Sequence, residues 1–136
     1  MSSDVPAGFE AAAKSNTFES LVGPLYEKWG GEQYVCGFRA APHHGNGRGV
    51  VHGGMLFTFV DHTLGNMVGE RFENKPCATV TLNVDYLAGA KIGEWIECTG
   101  AITRETRSLI FIKGQLTING QIVMTASGVW KKLGAD

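Results

Sequence analysis

The feature that most constrains this chain is a change of periodicity at Pro76. Before it, from Gly53 to about Arg71, Met55, Leu56, Phe59, Val60, Leu64 and Met67 recur at spacings of three and four, the pattern of a helix with a broad apolar face. After it the chain alternates. Val80, Leu82, Val84 and Tyr86 interleave with Thr79, Thr81, Asn83 and Asp85 over Ala78–Leu87, and Trp95–Arg104, Ser108–Ile118 and Ile122–Lys132 also read as strands. Gly89, Gly93, the Glu105–Thr106 corner and Asn119-Gly120 separate these runs, and Asn-Gly between alternating apolar runs is the strongest short hairpin signal in the chain. Two more strands, Leu25–Trp29 and Gln33–Ala40 with a turn at Gly30-Gly31, precede the helix. Phe9–Leu21 has helical character, which Asn16 and Thr17 can divide into two short pieces. Consecutive hairpins imply an antiparallel sheet, and one apolar helix must cover a face of it for both to be buried. The simplest architecture is an α+β fold, an antiparallel sheet of about six strands wrapped around one long central helix.

Size and charge narrow the function classes. A chain of 136 residues is the usual size of one domain, expected here as a flexible start over 1–8 and a single domain over 9–136. No run approaches the roughly 20 apolar residues of a membrane span, and the first residues have neither a basic start nor a hydrophobic stretch of the secretory kind. Net charge is −1, from 12 basic and 13 acidic residues spread along the chain, which is unlike the concentrated basic footprint of a nucleic-acid binder. Cys36, Cys77 and Cys98 are odd in number and form no C-x-x-C pair, so a disulfide framework and a zinc knuckle are disfavoured and a cytoplasmic location is expected.

The central helix carries the chemistry. Between Gly53 and Gly69 its only ionisable residues are Asp61 and His62. At 100° per residue Asp61 shares a strip with Gly54, Thr58 and Gly65, small residues that allow a ligand or another backbone to come close. A carboxylate on such a strip is expected to face something other than open water. The helix begins at His52-Gly53-Gly54, where unpaired N–H groups and the helix dipole favour an oxyanion. Such donors are what an ester or thioester carbonyl needs as charge develops on its oxygen. Yet Asp61 lies eight residues after Gly53, about 12 Å along a helix axis. One chain cannot aim both at a single carbonyl, whereas a second copy of the helix running antiparallel can, so a homodimer with two equivalent sites is expected.

The pattern Asn46-x5-His52-Gly53-Gly54-x6-Asp61 resembles the signature of hotdog-fold acyl-CoA thioesterases, nearest to the branch of phenylacetyl-CoA-type bacterial enzymes and small mammalian acyl-CoA thioesterases. The order of elements agrees over approximately residues 18–133. The resemblance implies that the Gly53 N–H serves the thioester carbonyl and that Asp61 of the partner subunit acts as general base on water or as nucleophile. It implies that Asn46 holds the attacking water or the sulfur region, that His52 orients the loop and first turn, and that Thr79 contacts the Asp or its water. Thr81, two residues along the same strand, competes for that last role. Gly54 would line the substrate site, and Arg48, Arg104 and Arg107 are candidates for the coenzyme A phosphates, which arginine forks suit. The resemblance also implies a dimer, and a dimer of dimers (a homotetramer), acting on aryl- or medium/long-chain acyl-CoA. No metal and no cofactor is called for, coenzyme A being part of the substrate.

Rival readings are weaker. There is no G-x-S-x-G elbow, and Gly45-x-Gly47-x-Gly49 has the wrong spacing for a dinucleotide loop. The adjacent His43 and His44 have no clustered carboxylate or cysteine to complete a metal site. An acyl-thioester dehydratase or hydratase of the same fold needs a second acid or base at matching spacing, and none is present. A non-catalytic acyl-CoA-binding module or sensor would keep the pocket but have no use for Asp61.

Overall fold

The computed structural model describes residues 4–12, 16–30 and 33–134. Its elements are strand β1 (Glu10–Ala11), helix α1 (Phe18–Val22), β2 (Tyr26–Gly30), β3 (Gln33–Arg39), a 3-10 turn (Pro42–His44), helix α2 (Gly53–Arg71), β4 (Cys77–Tyr86), β5 (Trp95–Glu105), β6 (Leu109–Ile118) and β7 (Gln121–Lys132). One antiparallel sheet takes the order β1-β2-β3-β5-β6-β7-β4. The six expected strands are present, and β1 adds a short seventh where a helical turn was expected. Glu10 and Ala11 pair with Glu27 and Tyr26, so the edge of β2 overrides the local helical preference of the alanines. Residues 13–15 of that expected helix, and Gly31 of the first turn, lie outside the described residues. Asn119 and Gly120 both take positive φ, 50° and 81°, the geometry a tight two-residue hairpin needs.

One connection departs from consecutive hairpins. β4 pairs with β7 rather than with β5, so the chain leaves α2, runs up the far edge of the sheet, and returns through 87–94 to insert β5 beside β3. That crossing places α2 over the middle strands. Leu56, Phe59, Val60, Leu64 and Val68 face the sheet and meet Phe38, Ile96, Ile110, Ile112 and Leu116, all essentially inaccessible to solvent. Thr63 is buried among them, its hydroxyl satisfied by donating to the Phe59 carbonyl at 2.9 Å. The helix comes close because the strands beneath it carry glycine. A Cβ on Gly100 or on Gly114 would stand 2.7 Å from Leu64 Cδ2, so Leu64 occupies space that any larger residue would need. At the C-terminal end Glu105 pairs with both Arg71 of α2 and Lys132 of β7, which anchors the helix to the β5–β6 turn. No helix among the described residues is long and apolar enough to cross a membrane.

Asp4 and Phe9 lie against this sheet. The Asp4 carbonyl accepts from Arg39, and the Phe9 ring stands edge-on to Trp95 with centroids 5.1 Å apart.

Candidate active site

The first turn of α2 is held from both sides. His52, with φ −60° and ψ 134°, is the N-cap, and its Nδ1 accepts from the Gly54 N–H at 2.7 Å. The neutral ring therefore carries its proton on Nε2. On the other side Tyr86, the last residue of β4, donates its hydroxyl to the Gly53 carbonyl at 2.7 Å. No acceptor among the described residues takes the Gly53 N–H, which is one of the donors any helix start leaves over. The loop before it is a small hairpin of its own. Gly45 bridges Val51, the Asn46 N–H reaches the Val50 carbonyl at 3.0 Å, and the His52 N–H reaches the His44 carbonyl at 2.8 Å. Asn46 Oδ1 turns back to accept from the Arg48 N–H at 2.9 Å, so the side-chain carbonyl fixes the loop and the amide NH₂ is its remaining polar end.

Asp61 is exposed in the single chain, whereas the apolar run around it leads one to expect burial. The reason is angular: Met55, Leu56, Phe59, Val60, Leu64 and Val68 turn toward the sheet, whereas Phe57 is exposed and Asp61 lies on the outer strip with Gly54, Thr58 and Gly65, as the helical spacing places it. It sits on the flank nearest β4, where Thr79 Oγ1 approaches Asp61 Oδ1 at 3.4 Å. Thr79 rather than Thr81 makes this contact because the pairing of β4 with β7 shifts between the two, with Val80 as the extra residue. Thr81 instead accepts from Asn83 at 3.4 Å.

Thus Gly53, Gly54, His52 and Asn46 gather at the start of α2, and Asp61 and Thr79 form a second group about 12 Å further along the helix axis. The phosphate candidates divide in the same way. Arg48 is exposed beside Asn46, whereas Arg104 and Arg107 are exposed at the β5–β6 turn, which Glu105 ties to the opposite end of α2. One chain therefore does not bring all three arginines together.

The family model described as the thioesterase superfamily matches residues 48–125. This chain belongs to the thioesterase superfamily. Along most of its length it is 31% identical to "Putative esterase PA0474" of Pseudomonas aeruginosa, over 93% of this chain and 96% of that one. It is 28% identical to human acyl-coenzyme A thioesterase 13, over 88% of this chain and 86% of that one. Among solved structures, zebrafish thioesterase superfamily member 2 superposes with a TM-score of 0.79 at 26% identity, covering 87% and 88% of the two chains. The fold is the hotdog fold, and the protein is a thioester hydrolase.

Five residues outside the expected site set lie close to it: Tyr86, His43, His44, His62 and Asn66. From sequence Tyr86 reads as an alternating strand residue and, with Met55, Phe57 and Phe59, as a candidate lining of an acyl pocket; its place beside Gly53 depends on β4 running along the far edge. His43 and His44, adjacent and metal-like in sequence, aim their Nε2 atoms at the carbonyls of Gly23 and Val22. His44 Nδ1 also accepts from the Ala41 N–H at 3.0 Å, so the ring is neutral with its proton on Nε2, and burial lowers its pKa. The pair fastens α1 to the loop that leads into α2. On the far flank of α2 from Asp61, His62 and Asn66 line a cleft of about 630 Å³ with Glu19, Leu25 and Glu27. Burial lowers the His62 pKa too, against the opposing pull of Glu19, Glu27 and Asp61.

Proposed function

We propose that this thioesterase hydrolyses acyl-CoA, with an aryl or medium/long-chain acyl group, at two equivalent sites formed between two copies of the chain. The observation that carries the proposal is the pair of half-sites on one helix: an unused N–H at Gly53 and an exposed carboxylate at Asp61, about 12 Å apart. Two antiparallel copies of α2 bring one chain's Gly53 beside the other's Asp61. The same arrangement carries Arg104 and Arg107 of one copy toward Arg48 of the other, where both can meet coenzyme A phosphates. β4 supports such a pairing. It is a ten-residue edge strand with a neighbour on one side only, and Val80, Tyr86 and the following Leu87 are 60%, 50% and 59% exposed. A long edge with exposed apolar side chains is a surface that proteins normally cover. A further pairing of dimers is compatible with this arrangement.

In the general-base route the Asp61 carboxylate takes a proton from water as the water oxygen bonds to the thioester carbon. The carbonyl oxygen gains the negative charge, which the Gly53 N–H stabilises. Collapse of the tetrahedral species breaks the C–S bond, and the coenzyme A thiolate recovers the proton from Asp61. In the nucleophilic route Asp61 bonds to the carbonyl carbon first, the C–S bond breaks to release the coenzyme A thiolate, and water hydrolyses the resulting anhydride to the free acid and the Asp61 carboxylate. Thr79 steadies the carboxylate in both, while Asn46 offers its NH₂ to the water or to the sulfur. Neither route asks for a metal or a cofactor.

Thiol release from a panel of aryl- and aliphatic acyl-CoAs tests the activity. Asp61→Asn is expected to keep its fold and lower kcat by roughly 10²- to 10⁴-fold, the usual worth of positioned acid–base catalysis. Mixing inactive Asp61→Asn and Gly53→Pro chains tests the shared site. Each mixed dimer holds one intact Gly53–Asp61 pair, so random exchange should restore roughly a quarter of wild-type turnover. No recovery after demonstrated subunit exchange would place both groups in one chain and end the two-copy reading. Binding of acyl-CoA without thiol release would favour the sensor alternative.

A further inference from the structure

We infer that Tyr86 is a positioning residue for the oxyanion donor: its hydroxyl and the His52 imidazole clamp the peptide between Gly53 and Gly54 from opposite ends and so fix where the Gly53 N–H points. The inference rests on the proposed role of that N–H. The Tyr86 hydroxyl donates to the carbonyl end of this peptide at 2.7 Å, and the N–H end donates to His52 Nδ1 at 2.7 Å. The two bonds form one chain, O–H to O=C–N–H to imidazole, in which each bond polarises the next.

A helix start without such a clamp frays, because its first turn has few partners of its own. Here the first residue is glycine, the most permissive backbone in the chain's repertoire. With the 53–54 peptide held at both ends, rotation about the Gly53 backbone is confined, and its N–H keeps one direction. The Tyr86 ring adds a wall: its Cε1 and hydroxyl stand 3.5 Å from the place a Gly53 Cβ would occupy. Tyr86 also ends β4, whose exposed edge is the surface assigned above to the second copy, so the clamp links that edge directly to the donor. Nothing in this geometry requires the hydroxyl to touch substrate. Its contribution is to keep the donor aimed before the substrate arrives, when reorientation would otherwise accompany the reaction.

Tyr86→Phe tests the clamp, since it keeps the ring and removes only the hydroxyl. In thiol-release assays kcat should fall roughly 5- to 30-fold, the worth of one or two well-placed hydrogen bonds, with KM within about twofold, the unfolding midpoint lowered by at most about a few degrees and the protein fully folded at the assay temperature. Gly54 amide exchange, followed by NMR in both proteins, should be faster in the variant. An unchanged kcat in an active enzyme would overturn the inference, as would a loss of kcat that merely tracks a loss of folded protein. Should wild type release no thiol from any acyl-CoA, the hydrolytic reading of the site fails by itself. The amide measurement still decides the clamp: faster Gly54 exchange in Tyr86→Phe upholds it, and equal exchange removes it.

Discussion

Gly53→Pro isolates the oxyanion donor with little else disturbed. Proline at the first residue of a helix loses an N–H that the helix does not use, and its fixed φ suits that position. The residue before it must be extended, and His52 already has ψ 134°. Space is available too, since a Cβ at Gly53 meets nothing nearer than the Tyr86 ring at 3.5 Å, an ordinary contact. The fold should therefore be retained, and the stiffer unfolded chain should add between zero and about 1 kcal/mol of stability. Turnover should move the other way. Removing one preorganised donor from an oxyanion costs about 3–4 kcal/mol, which is roughly 10²- to 10³-fold in kcat. Gly53→Ala is the control, because it fills the same space and keeps the N–H. The assay is steady-state thiol release for both variants, with thermal melts alongside. Should Gly53→Pro turn over within about threefold of Gly53→Ala while both remain folded, the Gly53 N–H is not the oxyanion donor and the start of α2 is not a half-site.

Two further expectations concern the scaffold. Gly100→Ala places a Cβ 2.7 Å from Leu64 Cδ2 and 2.9 Å from the Lys113 carbonyl, and the backbone cannot yield cheaply, so unfolding should ease by about 1–3 kcal/mol and the midpoint fall by several degrees; an unchanged melt would show that α2 does not bear on this glycine. Stability should also fall on acidification. Burial lowers the pKa of His44 and of His62 in the folded state, so the unfolded chain binds protons first; stability is complete above about pH 6.5 and declines as pH drops toward the folded values, by at most about 1.4 kcal/mol per pH unit for each histidine. Protonation of His44 would in addition cost the bond from the Ala41 N–H, because Nδ1 could no longer accept. A urea midpoint that stays constant between pH 7.5 and 5.5 would contradict this.

Most of the framework can be read from local pattern, because alternation and helical spacing are themselves consequences of which side is buried. The six longer strands, α2 and the Asn119-Gly120 hairpin all follow that rule. What pattern does not carry is sheet order. The alternation within β4 says which of its residues face α2, but nothing local says that β4 pairs with β7, whose partners run from Lys132 opposite Cys77 to Met124 opposite Tyr86. The bond from Tyr86 to Gly53 escapes a sequence reading for this reason, since it exists only in that order. The shift at Val80, which decides between Thr79 and Thr81, is equally a property of the pair of strands and not of either one. β1 is the complementary failure: an alanine-rich stretch prefers helix by itself, and the open edge of β2 offers it a ladder.

Asp61 shows the same limit in sharper form. Its apolar neighbours in sequence lead one to expect burial, yet they are buried because they point to the sheet, and Asp61 is exposed because it does not. For a single chain that is the inexpensive arrangement, since a buried unpaired carboxylate would be costly. Catalysis asks for the opposite, a carboxylate taken partly out of water beside a substrate. Both demands can be met if the carboxylate folds exposed and is enclosed only when a second copy arrives. On this account folding of the chain precedes assembly of the site, and activity should depend on protein concentration where folding does not. Dilution through the dimer dissociation range should reduce thiol release per chain while the far-ultraviolet circular dichroism per chain stays constant. Constant specific activity down to demonstrably monomeric protein would mean that one chain suffices, and Asp61 would then need a different partner from Gly53.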